Sequence, residues 1–245
     1  MKHFFGLTLA LGWMISGNPS FAQDARAIVL AHGEAIGGKN AVKAVQTIRR
    51  TASITLSANG PTIAGVFLQK RPNKTLQEFV IQGQTLTQGF DGTQAWFVNP
   101  LAGSSEPKAV PETKAKAVER LAYFDDILWE NLEGRKIELA YEGEAVIEGQ
   151  RHHQVLVTFP DGYQQHRLYN AETHLLYQVR QMQQNSTGET VETVTSFEDY
   201  RQVGDLKYPY KIVNSLGQSL LFEKTELNVP IEDWRFAMPT KGHMP

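Results

Sequence analysis

The 245-residue chain contains no cysteine. That excludes a disulfide-stapled secreted domain, a thiolate-held zinc or iron-sulfur centre, and anchoring through an acylated N-terminal cysteine. It also lacks an excess of one charge. The 24 basic side chains face 26 acidic ones, so there is no electrostatic footprint for nucleic acid. Long apolar runs are scarce. Phe4 to Ile15 is apolar, but shorter than the ~20 residues that a membrane-spanning helix needs. With Lys2 before it and the small residues Ser20 and Ala22 at the −3 and −1 positions of a cleavage site, residues 1–22 read as a signal peptide. Residues 23–245 then form a single exported domain, destined for the periplasm. Losing Lys2 leaves 23 basic against 26 acidic residues, a net charge of −3.

The residues that are present describe an ordinary globular chain, 41% hydrophobic and 10% aromatic. Two stretches carry helical periodicity. From Asp24, Ile28, Ala31, Ala35 and Ile36 recur on one face until Gly37-Gly38 stops the pattern, and Asn40 can cap a further turn through Val42 and Val45. A second helix is expected from Pro111 to Leu132, with Val118, Leu121, Phe124, Leu128 and Leu132 as its apolar stripe and Gly134 as its stop. Elsewhere the period is two. Runs such as Ile63 to Leu68, Val155/Val157/Phe159, Val191 to Phe197 and Leu221 to Val229 alternate, and turn signals such as Asp91-Gly92, Asp161-Gly162 and Leu216-Gly217 separate them. The count is about eleven consecutive antiparallel strands with one helical insertion after the fifth.

A meander of that length cannot stay flat, because twist accumulates from strand to strand. The expected fold is therefore α+β and β-rich: a strongly coiled antiparallel sheet forming an open, unclosed β-barrel, with a helical lid over an apolar cavity.

The segment Gly65 to Pro100 carries Lys70-Arg71-Pro72-Asn73, then Asp91-Gly92, then Trp96-Phe97-Val98-Asn99-Pro100. These pieces, in this order, resemble the LolA-like family of periplasmic outer-membrane lipoprotein-sorting proteins. Phe197 to Ile212 resembles the C-terminal strands of that family's broader relatives, which the longer C-terminal half also matches better than the dedicated carrier. The resemblance implies an open barrel that shields acyl chains or lipid-modified protein, with envelope membrane proteins as further partners, no nucleic acid, no cofactor, and action as a monomer. It also implies that Arg71 holds the lid and governs ligand release. A guanidinium there can donate to lid or loop carbonyls; the plainer reading is a solvated turn arginine. Phe79, Trp96, Leu121, Phe124 and Leu128 are the expected cavity and lid residues.

Catalytic signatures are absent from the sequence: no GxSxG, P-loop, HExxH or dinucleotide fingerprint. His152 and His153, adjacent on a strand, point to opposite faces and cannot share a metal. His166 and His174 flank a turn and could approach one another. Asp125-Asp126 and Glu198-Asp199 read as solvated acid pairs, and the sequons at Asn73 and Asn185 as chance matches in a bacterial host. Two readings remain: a non-catalytic carrier or chaperone that hides an apolar ligand, or an interaction or sensory module that docks an envelope polypeptide, through an exposed apolar patch or an edge strand.

Overall fold

The computed structural model describes residues 20–124, 126–129, 134–184 and 188–240. The signal-peptide reading therefore falls outside the described residues up to position 19, as do Asp125, Leu132 and the Asn185 sequon. Helices α1 (Ser20–Ala35) and α2 (Gly38–Ala44) come first, broken where the sequence places Gly37-Gly38. Strands β1 (Thr47–Thr55), β2 (Thr62–Lys70), β3 (Lys74–Ile81), β4 (Gln84–Phe90), β5 (Ala95–Asn99) and β6 (Ser104–Ala109) follow. Helix α3 (Glu112–Leu121) interrupts them before β7 (Glu138–Ile147), β8 (Gln150–Thr158), β9 (Gln164–Asn170), β10 (Leu176–Gln184), β11 (Thr190–Val203), β12 (Leu206–Asn214) and β13 (Ser219–Leu227).

All thirteen strands share one antiparallel sheet in the order β6-β5-β4-β3-β2-β1-β13-β12-β11-β10-β9-β8-β7. The open barrel expected from the sequence is present, with thirteen strands rather than about eleven and with the helix after the sixth strand. The surplus lies in β4 to β6. Gln84–Phe90 and Ser104–Ala109 are polar, and the latter contains Pro107 at the edge of the sheet, so neither shows the apolar alternation that marks a buried strand.

The sheet curls around its helices. Ile48 of β1 and Val155 and Val157 of β8 belong to one buried cluster with Val29 of α1 and Val42 of α2, although five strands separate β1 from β8 in the sheet. Both halves can reach the same helices only from a concave face. Register assigns the other residues. Arg50, Ala52, Ile54, Phe67 and Phe79 lie on that concave face, whereas Val66, Leu68, Leu76, Glu78, Trp96 and Val98 lie on the outer one.

After β13 the chain crosses the outer face of β1 to β5 as a strap. Thr47 Oγ1 donates to the Val229 carbonyl (2.6 Å), Lys70 Nζ to the Ile231 carbonyl (2.6 Å) and Trp96 Nε1 to the Phe236 carbonyl (2.7 Å). Phe236 is fully buried against Leu68, Leu76, Trp96 and Val98.

Candidate functional site

The second helix is shorter than its stripe predicts. Regular α3 ends at Leu121, and the chain then turns, with positive φ at Asp126 (48°) and Trp129 (43°). The turn lets Asp126 form a two-pronged ion pair with Arg167, the buried arginine of β9, and seats Ile127, Leu128 and Trp129 in the main core. Burying three large side chains and neutralising a buried guanidinium outweighs a few more helical residues. Asp126, expected as a solvated acid, keeps a side chain that is 49% exposed and is also the ion-pair partner of Arg167. Burial pushes its carboxyl upward, but the charge and hydrogen bonds of Arg167 prevail and hold it below the usual carboxylate range.

Helix α3 bridges the two wings of the open sheet. Val118 and Ala122 pack on Phe90 and Ala95 of β4 and β5. On the other side Arg120 pairs with Asp161 in the β8–β9 turn (2.7 Å) and lies 4.1 Å from the Tyr163 ring centre. Arg71 fastens the inner cover. Its Nε donates to the Val45 carbonyl (2.7 Å) and its Nη2 to the Val42 carbonyl (2.8 Å), at the end of α2, and its guanidinium lies 5.0 Å from the Phe124 ring centre. Of the two readings of Arg71, the geometry has the guanidinium bonded to carbonyls.

The other expected site residues do not converge. Leu128 is 4% exposed and fills the core, Phe124 is half-buried beside it, and Leu121 is 49% exposed at the end of α3. Phe79 joins a second concave-face cluster with Phe67 and Phe222. Trp96 is 1% exposed and lies on the outer face. There, between strap and sheet, is a cavity of about 690 Å³. Val66, Leu76, Trp96 and Val98 form its floor, Trp234 and Met238 its cover. Of the five expected residues only Trp96 lines it. The outward placement follows from period-two register: Phe79 and Trp96 belong to opposite faces, a difference that residue type alone does not reveal.

The polar groups of the cavity neutralise each other. Arg235 Nη2 meets both carboxylate oxygens of Glu78 at 3.0 and 2.9 Å. Beside it Asp233 accepts from Lys70 (2.8 Å) and Lys74 (3.1 Å), whose hydrogen bonds hold its carboxyl below the usual range. Lys70 and Arg71, neighbours in one motif, thus fasten the outer strap and the inner cover. Asn73 of the same motif reaches the Gly92 carbonyl at 3.3 Å.

The histidines do not assemble. His152 is buried with its ring 4.4 Å from that of Tyr177, His153 lies by Tyr141 on the opposite face, and His166 pairs with Glu142 (2.7 Å) while the His174 carbonyl accepts from His32. Among the described residues no three His, Asp or Glu side chains are grouped to hold a metal.

No protein-family model and no curated protein matches the sequence. Solved structures do match its fold. A LolA superfamily protein from Nitrosomonas europaea superposes with a TM-score of 0.59 at 14% identity, covering 89% of this chain and 97% of that one. A DUF1329 family protein from Desulfovibrio piger gives 0.58 at 13% identity, covering 87% and 97%. An outer membrane lipoprotein-sorting protein domain from Vibrio parahaemolyticus, described as putative, gives 0.55 at 15% identity, covering 88% and 97%. The curled, unclosed sheet with its helical cover is the fold of these three structures, the LolA-like fold.

Proposed function

We propose that this protein is a periplasmic carrier that shelters an uncharged, lipid-like chain, free or attached to a protein, in the cavity beneath the C-terminal strap. The observation that carries this reading is the cavity itself: about 690 Å³, floored by Val66, Leu76, Trp96 and Val98. Its one charged pair, Glu78 with Arg235, is internally satisfied. A space of that size suits a small-molecule ligand. A lining with no unpaired charge favours methylene groups over a polar ligand, because each buried CH₂ contributes ~0.8 kcal/mol. The strap is anchored by the buried Phe236 side chain and by the Trp96 hydrogen bond to its carbonyl, whereas Trp234, 62% exposed, flanks the cavity, so a ligand enters by displacing that side chain rather than by lifting the whole strap. The fold, shared with a lipoprotein-sorting domain, supports export and transport over catalysis.

The test is uptake of a neutral alkyl probe, an alkane-tailed fluorophore, by the folded protein. Half-buried Thr87 lines the cavity from β4, so Thr87→Trp fills the space from a position that tolerates bulk. The expected result is uptake by the parent and a loss of at least about tenfold in the variant, some 1.4 kcal/mol. Equal uptake by both, or none by the parent, overturns the reading.

The interaction-module reading keeps one observation of its own. Strands β6 and β7 are the two edges of the sheet, and β7 exposes Val146, an arrangement open to strand addition.

A further inference from the structure

Between α3, the β8–β9 turn and the segment entering β7 lies a second cavity, of about 200 Å³. The fold gives it fixed walls. Phe159, 4% exposed, and Pro160 line it from the turn, and Tyr123 lines it from the end of α3. Ile137, buried in the main core, anchors the backbone two residues after Arg135. The Arg135 guanidinium is thus carried on a firm support, 3.8 Å from the Tyr123 ring centre and 5.9 Å from that of Phe159.

Five charged side chains line this cavity: Lys116, Arg120 and Arg135 against Glu119 and Asp161. Lys116 pairs with Glu119 at 2.9 Å, and Arg120 with Asp161 at 2.7 Å. Both carboxylates are engaged, and one cation is left over. Among the described residues no carboxylate stands within ion-pair distance of Arg135. Its one hydrogen bond runs from Nη1 to the Asp126 carbonyl at 3.5 Å, the outer limit of such a bond. Burial pushes its pKa down, against the weaker pull of Tyr123, Asp126 and Glu119, so the fold disfavours this charge until an anion meets it.

The lining narrows the ligand. A surplus of one positive charge calls for an anion. A planar guanidinium with unused donors can meet an oxyanion through paired hydrogen bonds. Lys116, whose exposed pair with Glu119 holds it only weakly, can turn a donor to the same ligand. Two cations on different elements suit a tetrahedral phosphate better than a planar carboxylate, because its oxygens point toward both. The volume lies below that of sites for drug-sized molecules, so it admits a short organic group and excludes a lipid tail.

We infer that this cavity is an anion site for a small phosphate ester, with the phosphate between Arg135 and Lys116 and the short organic part against Tyr123 and Pro160. The site is separate from the strap cavity, with which it shares no lining residue. A bound phosphate joins α3 to the segment entering β7 and so steadies the inner cover. A free ester and a lipid headgroup offer the same phosphate chemistry.

The experiment follows glycerol phosphate by phosphorus NMR in the presence of the folded protein, with succinate and glycerol as competitors. The parent is expected to bind glycerol phosphate, with succinate at least about threefold weaker and glycerol without effect. Arg135→Gln is expected to lower the affinity at least about tenfold, the scale of one charge-assisted contact. Lys116→Glu, at a side chain 62% exposed, reverses a charge and is expected to lose binding, so the proposal stays testable should Arg135→Gln fail to fold. Thr87→Trp, in the strap cavity, is expected to change nothing. Sedimentation with phosphatidylglycerol but not phosphatidylcholine vesicles, abolished by Arg135→Gln, assigns the phosphate to a lipid headgroup; binding of glycerol phosphate without sedimentation assigns it to a free ester. No binding of glycerol phosphate by the parent, succinate or glycerol bound as tightly, or an affinity unchanged in folded Arg135→Gln or in Lys116→Glu overturns the proposal.

Discussion

A Cβ added at Gly89 would stand 2.5 Å from Trp96 Cε2. The indole lies flat across the β4 backbone, and only glycine lets it reach the Phe236 carbonyl. At this scale some of the site was legible in the sequence: Trp96 and Arg71 stand in recognisable motifs, and both are fasteners in the structure. His32 was silent in the sequence. It donates through Nδ1 to the His174 carbonyl (3.0 Å), its ring is 5.2 Å from that of Tyr169, and Asp126 and Arg167 face it from the opposite elements. Burial lowers its pKa to about 4, against the upward pull of the carbonyl and Asp126. The unfolded chain therefore binds this proton more readily, and stability falls as pH drops from about 6.5 to about 4, by at most ~3 kcal/mol from this group. Asp126, with its depressed pKa, loses its contribution only below the ordinary carboxylate range. Thermal unfolding across pH 7 to 4 is expected to show the decline, and His32→Gln to flatten it. An identical slope in the variant contradicts the assignment.

Element by element, the break at Gly37-Gly38 and the long β7 to β13 meander followed from the sequence, because turn signals and apolar alternation agree there. The lid did not. Periodicity through Leu132 implied one long helix, but the Asp126–Arg167 pair and the burial of Ile127, Leu128 and Trp129 redirect the chain after Leu121. What holds this inner cover is local, which makes Arg71 the place to test it. Arg71→Leu removes two hydrogen bonds from a charged donor, leaving the Val42 carbonyl with only the Val45 N–H and taking the side-chain donor from the Val45 carbonyl, a loss of about 2 kcal/mol. Hydrogen exchange is expected to accelerate in α2 and in the segment 122–129, while β8 to β12 stay protected. Uniform acceleration across the whole sheet, or none anywhere, would show that Arg71 does not fasten this element.

At the scale of the whole molecule the two faces of the sheet are covered differently: the inner one carries the helices, the outer one the strap and its cavity. The sequence conveyed the curled sheet and led to a cavity expected under the helices; the outer cavity was not foreseen, because its cover is a short segment between Pro230 and Pro239 in which Trp234, Phe236 and Met238 alternate over too few residues to mark a sheet-covering element. A lipid-like chain resting between the strap and the outer face, as proposed, can be trapped there: the folded protein is cross-linked with a diazirine-bearing alkane and the adducts are located by peptide mass spectrometry. Adducts on Val66, Leu76, Val98 and Met238, suppressed in Thr87→Trp, are the predicted result; adducts confined to Phe124 and Leu128 under the helices, or none on the strap peptide, would contradict it.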